Sequence, residues 1–239
     1  MFWYPHKAAF RAGMNDVDVL YDPDTCTPIA DESPGYFWKP WVIGEFSFAV
    51  GKNSLASGSS SFAAGDSNRV VFAPSGVAIG FDNYVEGMAG TAIGYSNDAW
   101  GAQSVALGFA NTAEGSGSVA LGDANEAIGD GSLAFGSGSK ALSTASIAGG
   151  FQSEAKGGSG AVALGDGVIA DGQGTFAVGV YNNPNPVDGA STKRPLFMVG
   201  RGSGATDRKN AFVVYDDGSV DITRIEPRGG ISMGAFGHQ

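Results

Sequence analysis

The sequence predicts an all-β chain, a β-solenoid of about ten 14-residue parallel coils, and three observations predict it. Alanine recurs at Ala49, Ala63, Ala78, Ala92, Ala106, Ala120, Ala134, Ala148, Ala163 and Ala177, at separations of 14 or 15 residues. A glycine stands two residues after each, from Gly51 to Gly179. Each repeat also splits into two short alternating runs, as in Ser104-Val105-Ala106-Leu107-Gly108 and then Thr112-Ala113-Glu114-Gly115. A fixed period with small residues in fixed slots marks one unit stacked on copies of itself. Two alternating runs per unit, each closed by glycine, read as strand, turn, strand, turn. A helix is excluded, because a glycine about every seventh residue costs about 1 kcal/mol each in a helix interior.

The slots define the coil. Alanine repeated in one slot points into an interior too narrow for anything larger, and glycine at the corners supplies positive φ. Each coil advances the stack by about 4.8 Å, so ten coils make a rod of about 45 Å. The two strands of a coil differ on their outward faces. In the first, the residues flanking alanine are apolar: Phe48/Val50, Val77/Ile79, Val105/Leu107, Val119/Leu121, Leu133/Phe135, Val162/Leu164 and Phe176/Val178. A strand apolar on both faces is buried on both. In the second strand the outward flanks are mostly polar: Asp98, Thr112, Glu114, Glu126, Lys140, Glu154 and Lys156. A single roll would expose the apolar stripe, which marks an interaction surface. Self-association along that stripe covers it, with Val77, Ile79, Val105, Leu107, Val119, Leu121, Leu133 and Phe135 as candidate interface residues. Spacing alone leaves the number of subunits open. The alternation Glu126, Lys140, Glu154 suits attraction between neighbouring coils, and a generic solvated face fits it equally.

Segments outside the repeat read differently. Residues 1–45 are rich in aromatics (Trp3, Tyr4, Phe10, Tyr21, Tyr36, Phe37, Trp38, Trp41), and prolines 5, 23, 28, 34 and 40 break any long helix. Solenoid ends need covering, so this segment reads as a cap or docking piece; an aromatic binding platform is the alternative. The roll occupies 46–183. Residues 184–239 follow an Asn-Asn-Pro-Asn-Pro exit and carry short strands at Leu196–Val199 and Ala211–Tyr215, with Asp217-Gly218 turning into Val220–Ile222.

Composition and chemistry narrow the function. The chain has 239 residues and a net charge of −10, which disfavours nucleic acid and anionic membranes as partners. No run approaches membrane-spanning length. Cys26 is the single cysteine and makes no intrachain disulfide. The two histidines, His6 and His238, stand at opposite ends of the sequence, which leaves little for a nucleophile triad or a zinc site. No enzyme activity, cofactor or metal is expected. Stretches such as Gly115-Ser116-Gly117 lack the setting of a phosphate loop, and Asp82, Asp123 and Asp166 read as corner residues rather than ion ligands. Phe81, Tyr95 and Phe109 fill one slot in successive coils and read as a stabilising ladder. On the water-facing strand, Tyr84 and Trp100 lie in neighbouring coils beside Glu86, Asp98 and Glu114. An exposed aromatic pair near acids can stack on sugar rings, which makes Tyr84, Trp100, Glu86 and Asp98 the candidate ligand site.

The Ser-Val-Ala-x-Gly repeats, from about Phe46 to Gly179, resemble the YadA-like head of trimeric autotransporter adhesins. That resemblance implies a homotrimer of left-handed parallel β-rolls with the apolar strands on the three-fold axis. Pro195–Gly202 and Arg208–Val220 are similar to the segment that follows such heads in phage tail fibres and bacterial trimeric fibre proteins, and Lys7–Gly13 looks like the lead-in of that group. The resemblance implies a non-enzymatic fibre head or tip, extracellular, on a bacterial surface or a phage tail fibre, binding a surface glycan or protein. The alternative is a structural spacer or trimerising shaft that displays another domain. As it stands the chain reads as a fragment, a processed product, or a fibre end that trimerises without a chaperone or barrel anchor.

Overall fold

A computed structural model of the chain describes residues 1–14, 39–186 and 193–222. Cys26, His238, Tyr21, Tyr36, Phe37 and Trp38 lie outside the described residues. The described residues form two sheets, of 15 and 9 strands, with one short 3-10 turn at Pro5–Lys7. Ten five-residue strands, from Phe48–Lys52 to Phe176–Val180, stack in parallel in the long sheet. Between successive members runs a short strand of two or three residues, from Leu55–Ala56 to Ile169–Asp171, and these nine form the second sheet. The result is a β-solenoid of about ten turns. Register follows the repeat, with Ala106 between Ala92 and Ala120, and Gly108 between Gly94 and Gly122. The 15-residue spacings keep that register, Ala63 to Ala78 and Ala148 to Ala163. Their extra residue is taken up in the turns around Phe72 and Gly157, which have φ of 48° and 80°.

The interior is as narrow as the sequence requires. Ala106 and Ala120 from the long sheet and Ala99 and Ala113 from the short sheet are fully buried. Where the short strand carries the larger Val70 or Val85, the residue before the long strand is Gly76 or Gly90 instead of serine. A Cβ on Gly76 would lie 2.6 Å from Val70 Cγ1, and one on Gly90 would lie 3.0 Å from Val85 Cγ1. Volume is thus conserved within the coil.

The closing glycines are not at the corners. Gly108 is the fourth residue of its strand, Val105–Phe109, with φ +125°, and a Cβ there would lie 2.1 Å from the carbonyl oxygen of Gly122 in the next coil. They are required by close backbone approach as well as by φ. The left-handed corner comes two residues later and is filled without glycine at Asp82, Ser96, Ala110 and Ala124, with φ of 50° to 52°.

At that corner a buried amide ladder replaces sheet pairing. Asn68, Asn83, Asn97, Asn111 and Asn125 are fully buried. The Asn97 Nδ2 donates to Asn83 Oδ1 at 3.0 Å and to the Gly108 carbonyl at 2.8 Å, and Asn111 repeats this one coil on. The ladder ends where the Ser139 N–H donates to Asn125 Oδ1 at 2.9 Å. Each Oδ1 also accepts the backbone N–H of the next asparagine, as Asn97 Oδ1 does from Asn111 N–H at 3.1 Å, so burial does not strand a polar group.

The long sheet continues past the repeat at both ends. Ala9–Met14 lies parallel to Phe48–Lys52 and puts Arg11 opposite Ala49, and Phe2–Tyr4 folds back antiparallel on it. Arg11 is fully buried. Its Nη2 donates to Ser47 Oγ at 2.9 Å and to the Ala56 carbonyl at 2.8 Å, filling the end of the interior. Burial lowers its pKa to about 10, so it stays charged at neutral pH. At the far end Pro195–Arg201 lies parallel to Phe176–Val180, with the buried Met198 opposite Ala177. Asn210–Tyr215 and Val220–Ile222 then add antiparallel strands. The turn between them includes Gly218, at φ +80°. The Tyr215 hydroxyl donates to Asp221 Oδ2 at 2.7 Å, and burial followed by that carboxylate pushes its pKa up to about 12.

Two outcomes follow from this geometry. Gly108→Ala is expected to destabilise the roll by about 3 kcal/mol or more through collision and strain, whereas Gly117→Ala, which meets nothing within 4 Å, is expected to cost about 1 kcal/mol for its left-handed backbone; chemical denaturation of both variants checks the contrast. Asp216 is held below the usual carboxylate range first by the Arg194 backbone N–H, and Asp217 by the Ser219 hydroxyl. A carboxyl depressed in the folded state stabilises it above the unfolded pKa and ceases to do so as pH falls through the folded value. The protection of the Ala211–Tyr215 amides against exchange, relative to their intrinsic rate, is therefore expected to fall below about pH 4 while that of Val105–Phe109 holds.

Candidate functional surfaces

The sheets present two faces of opposite character. On the long sheet, alternation turns alanine inward and its neighbours outward. Val77, Ile79, Val105, Leu107, Val119, Leu121 and Leu133 are half-buried, and Phe135 is 37% exposed. Parallel register lines them into two continuous columns, Val77-Thr91-Val105-Val119-Leu133 and Ile79-Ile93-Leu107-Leu121-Phe135. The structure thus brings all eight sequence-derived interface candidates onto one apolar face. Aromatic stacks extend the first column at both ends, Phe10 to Phe48 at 4.9 Å, Phe48 to Phe62 at 5.2 Å and Phe176 to Phe197 at 5.6 Å. Phe135 lies over Gly149, where a Cβ would be 2.2 Å from its ring. The ladder Phe81, Tyr95, Phe109 stacks at 4.9 and 5.1 Å beside these columns, with each ring about half exposed.

The short sheet faces outward with mostly polar residues, although Ile128 and Leu142 continue the column of Trp100 and Glu114. Lys140 Nζ lies 2.7 Å from Glu126, and Lys156 Nζ lies 3.1 Å from Glu154. The aromatic interruption is where the sequence reading put it. Tyr84 and Trp100 have ring centroids 5.3 Å apart at 43°. The Tyr84 hydroxyl donates to Glu86 Oε2 at 3.1 Å, and the Arg69 guanidinium lies over the Tyr84 ring at 5.5 Å. Trp100 is 40% exposed and stands beside Asp98. Burial raises the Asp98 pKa, against the opposing influence of the neighbouring indole. Tyr84, Glu86, Asp98 and Trp100 therefore form one patch. Among the described residues no group of three His, Cys, Asp or Glu is placed to hold a metal ion.

The amide ladder and the Arg11 plug escaped sequence reasoning. The ladder had a signal, since asparagine stands three residues after the closing glycine in five successive coils, Asn68 to Asn125. Arg11 had only its position, two residues before Gly13, in the slot that alanine holds elsewhere.

Stacked coils, an alanine interior and one mostly apolar outer face define a parallel β-solenoid. The family model for the YadA head domain repeat (2 copies) matches residues 43–68, 99–124 and 127–153, which supports a YadA-like head for these coils. That family is one of non-enzymatic adhesins, its heads form trimers, and it implies a surface-exposed location. No curated protein matches the chain.

Proposed function

We propose that the chain forms the head of a homotrimeric extracellular fibre that mediates adhesion or receptor recognition at a cell surface, by binding a glycan or a surface protein. The observation that carries this reading is the apolar face of the long sheet. Nine of the ten outward positions from Val77 to Phe135 are apolar in register, with Thr91 the exception, on a chain whose other sheet is mostly polar and carries ion pairs. Exposed apolar area on this scale drives association. Three rolls packed on those columns, each left-handed, would bury them and leave the short sheets facing water. Three copies of one weak ligand site on one rod would add avidity. In this reading residues 46–183 are the head, 1–45 a cap or docking piece, and 184–239 a fibre segment or neck. The setting is a bacterial surface or a phage tail fibre. A spacer role has one observation in its favour, the lysine–glutamate pairing of the short sheet beyond Glu126.

Light scattering on the chain is expected to give three times the chain mass. Val105→Asp with Val119→Asp is expected to abolish the trimer, since two buried charges per chain cost several kcal/mol (about 3 or more each). A folded parent monomer would sink the reading. Binding of the trimer to target cells separates a head from a spacer.

A further inference from the structure

The short sheet treats its carboxylates in two ways. Glu126 and Glu154 each hold a lysine. Among the described residues, Glu86, Asp98 and Glu114 close no ion pair with lysine or arginine, although Arg69 attracts Asp98 at longer range. These three surround Trp100. The backbone bonds Glu86 N–H to Ala99 O, Trp100 N–H to Ala113 O and Glu114 N–H to Ala127 O set Glu86, Trp100 and Glu114 on consecutive rungs of one column, about 4.8 Å apart. Asp98 stands in the adjacent column, and Arg69 covers Tyr84 rather than Trp100. An exposed indole with a carboxylate rim has the two features that attract a cation, a negative π face and negative charge.

We infer that this patch binds a pyranose carrying an ammonium group, with the C–H face of the sugar on Trp100 and the ammonium among Glu86, Asp98 and Glu114. The inference rests on the adhesive-head reading and names the ligand class of that head. A neutral sugar would cover three carboxylates without supplying their counter-charge, which is costly. A basic peptide would supply charge, but peptides seat on sheets through unpaired backbone edges. Here the rungs on either side already pair the backbone. An exposed aromatic side chain on a sheet whose backbone is already paired suits a ring.

The test is calorimetric titration of the intact chain with a β-1,4-linked glucosamine tetramer, its N-acetylated counterpart and tetralysine. The amine tetramer is expected to bind about tenfold or more tighter than either, a difference of about 1.4 kcal/mol. Trp100→Ala and the pair Glu86→Gln, Glu114→Gln are each expected to weaken it about tenfold or more, with solution mass and circular dichroism unchanged because these side chains point outward. Equal binding of the N-acetylated tetramer, equal binding of tetralysine, or full binding by Trp100→Ala overturns the inference. Cell adhesion by the trimer that survives Trp100→Ala overturns it too but leaves the adhesive head standing, whereas a parent that neither trimerises nor adheres removes the head itself.

Discussion

The fold depends on the approach of one backbone to the next at the closing glycine. A side chain on Gly94, Gly108 or Gly122 would fall within 2.1 to 2.3 Å of a carbonyl oxygen in the following coil. That distance fixes how far the coils may separate, and everything else is adjusted to it. The alanine interior, the Val70 and Gly76 exchange, and the bulged turns at Phe72 and Gly157 keep each coil the same width at this contact. The asparagine ladder belongs to the same constraint. The amide of Asn97 reaches the carbonyl of Gly108 because the glycine lets the next coil come close enough.

The period, the two strands per coil, their opposite outer faces and the Tyr84–Trp100 patch were legible in the sequence because a repeat averages over local ambiguity. One Ser-Val-Ala-Leu-Gly run is a weak strand signal; ten runs in one register are not. Less legible was anything that departs from the average. Glycine was assigned to corners and does turn the chain at Gly138 and Gly167, yet Ala110 and Ala124 fill the same corner with φ near +50° while the closing Gly108 and Gly122 sit inside strands. Alanine in a left-handed corner is strained by about 1 kcal/mol, a cost that flanking coils absorb and a local rule cannot foresee. Arg11 reads as a surface residue by type, and only its neighbours Ser47 and Ala56, 36 and 45 residues away, explain its burial. The pairing of Lys140 with Glu126 was visible as charge alternation, but its contrast with the unpaired acids around Trp100 required the two columns to be resolved.

The two faces divide labour because a strand sends alternate residues to opposite sides. Inward positions carry alanine, and the larger Val70 and Val85 are accepted where Gly76 and Gly90 make room. Outward positions on the long sheet vary in shape but are apolar apart from residues such as Thr91, as in Leu133, Ile147 and Val162. Outward positions on the short sheet vary in charge and shape alike, from Arg69 through Tyr84 and Asp98 to Lys140. Change at one rung there leaves the register of its neighbours intact, so a ligand patch can sit on three coils without weakening the other seven.

The plugs at the ends have a consequence for length. Arg11 closes one end of the interior and Met198 the other, and each contacts only the coil beside it. Neither senses how many alanine coils lie between. Removing or duplicating one 14-residue coil would alter the rod by a single step of about 4.8 Å and leave both closures unchanged. The roll therefore works as a ruler, whose graduation is the strand spacing and whose reading is set by counting repeats.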